Sequence, residues 1–507
     1  MSEMITSYIG QMSAGFFVRQ LIVILLLFML GLCVNACACG GRMSLIHMLL
    51  AYPVGISVYS LTGFILLVME LPFNRGSVTG ICAAIAAVCG ILALICSRKA
   101  EGPGMTLKER IIAIITVLCI AVISTSGILS VSASNDSLYY YWMYPRALVK
   151  YGYYKLQFDV FLTDIGQTSA TLNTLPFMYG FNEAFGIQTF LGINTVFITA
   201  YAMYDKAMAV LDKKKAALTT AVLSALLICT QPFIIMLKWA MSNGYFMCFM
   251  FITVYAVKAF EKGAGEKDDD VDGSLLITGI LLLQMSMLRM EGIMVALTLV
   301  ICFSMLGYEN KDLFTVFLFP EFLCALAYAG RVFYIGDVDA PYTFLTPKKA
   351  VIQLAAIVLV SVYVLVFRGR KFDIAGKHLK VLLPLGLAAV NGVLFMLNKT
   401  LYIKNCIAFL KNISNRSGWG LFPMILIASY ILVAIVTCRD RDQKFKMTYW
   451  DMCFVSYLLA TLAVCFARED ALRESIGDSG NRVLMQVTLL AFFAAADHLI
   501  KLVDRDR

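Results

Sequence analysis

The chain is punctuated by apolar runs too long and too numerous to be hidden inside a water-soluble fold. Leu21–Cys39, Met48–Met69, Thr79–Cys96 and Ile111–Ser132 open the series, and each has the roughly eighteen or more residues needed to cross a bilayer as a helix. Inside hydrocarbon a backbone must satisfy its own hydrogen bonds, so runs of this kind fold as helices. Composition points the same way. Sixty per cent of the 507 residues are hydrophobic and 15% are charged, against about a quarter charged in soluble proteins. Mean hydropathy is +0.80. The chain therefore reads as an all-α polytopic membrane protein.

The series continues through Gly186–Tyr204, Ala216–Met236, Tyr245–Phe260, two short spans flanking LRMEG (Leu288–Gly292), Leu313–Tyr334, Ala350–Phe367, Val381–Leu397, Gly420–Cys438, Trp450–Ala467 and Val483–Ile500. This predicts about 13–15 spans with the N-terminus outside. The net charge of +9 is a topological signal, because Lys and Arg mark cytoplasmic loops. Arg98, Lys99, Lys108 and Arg110 fill one such loop, and Lys213, Lys214 and Lys215 another. No basic patch with interleaved aromatics suggests nucleic acid. Fifteen cysteines and three histidines lie without Cys-x-x-Cys pairing, so a metal knuckle is not expected. Residues 1–100 form an N-terminal module of about three spans, and residues 101–507 the main transmembrane domain. The latter carries a long outer loop, 133–185, with short interfacial helices.

Charged groups at membrane depth cost roughly 3 kcal/mol on insertion scales and usually face a cavity or a partner. Asp136 opens the outer loop in the sequence SNDSLYYYWMYPRALVKYGYY, Ser134–Tyr154. If it starts a helix, Tyr140 and Tyr144 share its face. Its carboxylate could take a proton from an acceptor hydroxyl or hold a divalent cation. Equally, it could cap an interfacial helix. Arg146, Lys150 and Lys155 suit an anionic ligand or lipid headgroups. Arg289 and Glu291 have one residue between them, which places them at a break in the helix where Gly292 permits a turn. Lys238, beside Trp239, suits snorkelling at an interface. Arg482, after GDSGN, could clamp a phosphate through two parallel bonds or stop a span at the headgroups.

In this order the motifs resemble the GT-C class of integral-membrane glycosyltransferases, in particular bacterial family-39-like members that use polyprenyl-phosphate sugars. NDSLYYYWMYPRALVKYG resembles their DS-x-x-Y-H-x-x-x-A loop, supplying Asp136, Ser137, Tyr140 and Gly152, with Ala147 slightly late and Tyr141 where histidine is usual. SNGYFMCFMFITVYAV resembles a G-Y-x-D-x-P-x-A-x-F span, without its aspartate and proline. LRMEG resembles K-x-E-G, with Arg289 for lysine. GNRVLMQV resembles R-Y/V-L-x-x-x-x-P, without its proline. The likeness runs from about Ile111 to Ile500.

The resemblance implies a GT-C-like helical bundle in the cell membrane with its active site on the extracytoplasmic side. It implies inverting transfer of a sugar from a polyprenyl-phosphate donor to a cell-envelope glycan, lipid or protein. Asp136 would be catalytic, with Tyr140, Arg146, Lys238, Arg289, Glu291 and Arg482 binding substrate and loop 133–185 closing over the acceptor. A divalent cation, held by Asp136 if anywhere, is the one cofactor it allows. Two other readings compete. A flippase or transporter of anionic lipid or sugar would also need many spans and buried charges, although no matching interrupted helices mark inverted repeats. A polysaccharide polymerase or ligase would use the basic segment Asn398–Ser417.

Overall fold

A computed structural model describes residues 14–99, 105–125, 139–152, 168–181, 186–239, 241–261, 273–289, 291–335, 346–370, 376, 378–415, 417–439, 447–466 and 472–503. Among these residues every regular element is a helix. Each expected span overlaps at least one, and Ala216–Met236 and Val483–Ile500 each fall on two. Among the described residues, eight helices are long and apolar enough to cross a membrane, or nine if a pair bent by 62° counts as one span. Part of the difference from 13–15 is length, since the apolar helices Gly273–Met287, Gly292–Phe303 and Phe422–Thr437 are too short to qualify.

The chain divides into two compact units. The first comprises residues 1–195, 237–296 and 307–365, and the second 196–236, 297–306 and 366–507. The helices of the first hundred residues are α1 (Ala14–Ala38), α2 (Leu45–Val68) and α3 (Arg75–Lys99). They share the first unit with α4 (Leu107–Thr125), α5 (Tyr144–Tyr151), α6 (Ser169–Leu172), α7 (Thr174–Met178) and the start of α8 (Gly186–Met208). Helices α1 and α2 touch backbone to backbone. A Cβ on Gly31 would fall 1.7 Å from the Ala51 carbonyl oxygen, and one on Gly55 1.8 Å from that of Leu27. Between apolar helices in lipid such close packing replaces the hydrophobic drive, which is why small residues sit there.

Helix α2 is interior along most of its length, with Leu50, Ala51 and Val54 fully buried. Its hydroxyls bind the second half of the expected outer loop. Thr171 donates to the Ser60 carbonyl at 2.9 Å, and Tyr59 bonds Thr174 at 2.7 Å. Tyr245 reaches Asn173 at 2.9 Å. Helices α6 and α7 are thus buried structural elements of the first unit. A buried polar loop is stable only when its groups are paired, and its Thr and Asn side chains provide that pairing.

Continuing along the chain come α9 (Lys213–Ile228), α10 (Gln231–Lys238), α11 (Ser242–Ala259), α12 (Gly273–Met287) and α13 (Gly292–Phe303). A π-helical stretch, Leu313–Leu318, leads into α14 (Phe319–Ile335), followed by α15 (Pro347–Val362). Helix α11 is the other central rod of the first unit, with Phe246, Phe249 and Phe251 fully buried.

The remaining helices are α16 (Leu379–Leu397), α17 (Lys399–Ser414), α18 (Phe422–Arg439), α19 (Tyr449–Phe466), α20 (Ser479–Met485) and α21 (Thr488–Val503), all in the second unit. Two polar seams hold this unit. Asp451 of α19 accepts from Tyr430 (2.7 Å) and from the backbone and hydroxyl of Thr448 (2.7 and 2.8 Å), and lies 2.7 Å from Nε2 of His498. Beside it, Asp497 pairs with Lys206 and Lys501 at 3.4 and 2.6 Å. In α17 the asparagines face inward and isoleucines outward. Asn405 accepts from the Leu472 amide at 2.7 Å and Asn412 donates to the Arg473 carbonyl at 3.0 Å, whereas Ile407 and Leu410 are exposed.

Candidate functional site

The π-helical turn Tyr139–Met143 enters α5 directly. It places Tyr141, 4% exposed, against the first turn of α11, where its hydroxyl donates to Ser242 Oγ at 2.8 Å. Helix α11 begins after Met241, whose backbone is extended. This entry is pinned by Gln188 of α8: its amide donates to the Trp239 carbonyl at 2.6 Å and accepts from the Met241 amide at 3.2 Å. Ser242 and Asn243 are therefore fixed before any ligand arrives.

Facing them is the break between α12 and α13. The last turn of α12 ends at Met287, whose carbonyl receives the Thr168 amide at 3.0 Å. The chain comes back against itself here, so that a Cβ on Gly292 would lie 2.1 Å from the Ser286 carbonyl oxygen. Only glycine fits so close an approach of backbone to backbone. From this break Arg289 extends to α11. Its Nη1 donates to Ser242 Oγ and to Asn243 Oδ1, each at 2.8 Å, and its Nε pairs with the Glu291 carboxylate. The side chains of Arg289 and Glu291 are 17% and 9% exposed.

Three separate stretches of sequence thus close on one hydrogen-bonded cluster: Tyr141, Ser242–Asn243 and Arg289–Glu291. The guanidinium fixes which end of Asn243 is which, because it takes the oxygen. That leaves Nδ2 of Asn243, in a residue 4% exposed, without a hydrogen-bond partner among the described residues. A buried amide donor is costly to leave unmet. Next to a cation, it is suited to receive a hydroxyl or anionic oxygen.

The other sequence candidates lie elsewhere or outside the description. Asp136 lies outside the described residues. Tyr140 belongs by its backbone to the π-helical turn. Arg146 is exposed and lies over the Trp142 ring at 5.3 Å, apart from the Arg289 cluster. Lys238 is half-buried in the last turn of α10. Arg482 belongs to the second unit, 6% exposed on α20. That short helix is capped by Asp478, which accepts from the amides of Gly480 and Asn481. Asn481 in turn takes the Trp419 indole proton at 2.8 Å and donates to the carbonyls of Ser417 and Ser475.

Reasoning from sequence missed Ser242, Asn243 and Gln188 as site residues. The first two lay at the head of SNGYFMCFMFITVYAV without being marked as ligands, and Gln188 gave no signal at all. As for a metal, no three His, Cys, Asp or Glu side chains converge among the described residues. The carboxylate weighed for a cation, Asp136, is outside them.

No protein-family model matches the chain, and no curated protein matches it. Among solved structures, the crystal structure of the Archaeoglobus fulgidus oligosaccharyltransferase in the apo form is similar with a TM-score of 0.44 and 14% identity. That match covers 77% of this chain and 50% of the other. The archaeal oligosaccharyltransferase AglB from Archaeoglobus fulgidus, in complex with an inhibitory peptide and a dolichol-phosphate, gives a TM-score of 0.43 and 14% identity over 79% and 52% of the two chains. The chain spans about half the length of these structures.

Proposed function

We propose that this multi-pass membrane protein is a glycosyltransferase that moves a sugar from a polyprenyl-phosphate donor to an acceptor at the extracytoplasmic face. The observation that carries this reading is the convergence of Tyr141, Ser242, Asn243, Arg289 and Glu291 from three motif-bearing stretches, with one buried amide donor left over for a ligand oxygen.

In this reading Asp136, five residues before Tyr141 in sequence, deprotonates or orients the acceptor hydroxyl. The acceptor oxygen attacks the anomeric carbon opposite the phosphate, the bond from carbon to phosphate oxygen breaks, and configuration inverts. Charge growing on the departing phosphate calls for fixed donors and cations already in place, an electrostatic contribution that is often the largest in such reactions. Arg289 and Asn243 are assigned to a substrate oxygen in the first unit. Lys238 and Arg482 keep the substrate-binding roles that the motif resemblance implies, one in each unit.

The test is transfer from a panel of polyprenyl-phosphate sugars by the purified chain in lipid, comparing wild type with Asp136→Asn and Arg289→Lys. Asp136→Asn keeps size and capping ability and removes the charge. Loss of turnover in both variants with folding intact is expected. Unchanged turnover in Asp136→Asn would reduce that residue to a cap and move the chemistry elsewhere. Flipping of a labelled lipid-linked sugar without transfer would favour the transporter.

A further inference from the structure

The span Asn310–Gly330 carries a carboxyl group in its middle: Glu321, 1% exposed. It faces α12, which approaches this span closely. A Cβ on Gly279 would fall 2.6 Å from the Val316 side chain. Seven residues on, and so on the same face of α12, Ser286 Oγ lies 2.8 Å from Glu321 Oε2. The same Oγ lies 2.9 Å from the Leu283 carbonyl oxygen. A serine hydroxyl has one proton, and the Leu283 carbonyl has none to give. Were Glu321 ionised, that single proton would have to serve both acceptors. Its other oxygen, Oε1, has no hydrogen-bond partner among the described residues. A charge at membrane depth with half a hydrogen bond is not a stable arrangement.

We infer that Glu321 is a neutral carboxylic acid whose Oε2–H donates to Ser286 Oγ, and that this bond makes Glu321 a positioning residue for the break that carries Arg289. The proton count then closes, since Ser286 gives its own proton to Leu283 and receives one from Glu321. Ser286 is the pivot of the break. Its side chain meets Glu321, and its carbonyl is the surface on which Gly292 rests. Three residues further on, Arg289 extends to Ser242 and Asn243. The consequence for sugar transfer rests on the function proposed above; the protonation and the positioning do not.

The first experiment is infrared spectroscopy of the full chain in lipid. A carbonyl band of a protonated acid, sensitive to deuterium, should be present in wild type and absent from Glu321→Gln. It should move in Ser286→Ala, where the acid loses its acceptor. A spectrum unchanged by Glu321→Gln would mean an ionised Glu321, and a band unmoved by Ser286→Ala would break the pairing; either overturns the inference.

The second experiment measures the energetic coupling between Arg289→Met and Glu291→Gln in three backgrounds. Glu321→Gln can still donate to Ser286 and should keep the wild-type coupling, whereas Glu321→Leu cannot and should reduce it to zero within error. Equal coupling in all three removes the positioning role. If Glu321→Leu does not fold, Ser286→Ala serves as the background without the bond. Where the wild type turns over, Glu321→Leu should lower kcat on the order of 100-fold through misplacement of the break, and Glu321→Gln should not. Normal kcat in folded Glu321→Leu also refutes positioning. No turnover by wild type would sink the transferase reading and leave the spectroscopic and coupling results to stand or fall alone.

Discussion

The Arg289–Glu291 pair gives the sharpest test of the site, because its burial sets the size of the effect. An ion pair in water contributes about 0–1 kcal/mol. Here the side chains are 17% and 9% exposed, and the guanidinium also donates to Ser242 and Asn243. Replacing Arg289 with Met keeps the stem and removes the fork, leaving the Glu291 carboxylate buried without its cation. Breaking a buried pair from one side costs about 3–5 kcal/mol. The two lost bonds to α11 fall within that figure, since a removed donor leaves neutral acceptors behind.

The double variant Arg289→Met with Glu291→Gln takes away the stranded charge and should recover about 2–3 kcal/mol. Unfolding by SDS titration in mixed micelles, on all four members of the cycle, gives the coupling directly. If Arg289→Met alone costs less than about 1 kcal/mol and the double variant gains nothing, the pair is solvated and the cluster is not the preorganised site described above.

Three further outcomes follow from particular contacts. Gly292→Ala places a methyl 2.1 Å from the Ser286 carbonyl oxygen, so it should destabilise the first unit by about 1–3 kcal/mol; a variant as stable as wild type in the same titration would mean a looser break. His498→Leu strips one donor from Asp451, 3% exposed, and should cost about 1–3 kcal/mol, whereas Tyr430→Phe should cost less, because it removes one donor but keeps the ring packed on His498; the reverse order would refute the network as drawn. Cysteine-accessibility labelling should reach position 136 only from outside the cell and positions 213–215 only from the cytoplasm; labelling of all from one side would overturn the topology expected from the basic loops.

How much of this was legible beforehand can be seen at single residues. The helix break at Leu288–Gly292 was readable because two charges beside a glycine, between short apolar runs, have few other places to go. That Arg289 finds Ser242 and Asn243, 47 and 46 positions away in the chain, was not readable. A guanidinium's partners depend on which helix packs opposite, and periodicity says nothing of that. Loop 133–185 showed the same limit. Among its described residues Thr171, Asn173 and Thr174 bond to Ser60, Tyr245 and Tyr59, partners that no pattern within the loop names.

By itself the sequence determined that this chain is helical and crosses a membrane many times, because apolar length and the backbone's need for hydrogen bonds leave no other solution in lipid. It also marked Arg289 and Glu291 as charges in need of a partner, and gave no sign of Glu321, Asp451 or Asp497. Only the tertiary structure decided who those partners are, that Asn243 keeps a spare donor, and that Glu321 shares one serine with a carbonyl. Side-chain pairing is a property of the surfaces that meet, and hydrophobic pattern alone cannot specify them.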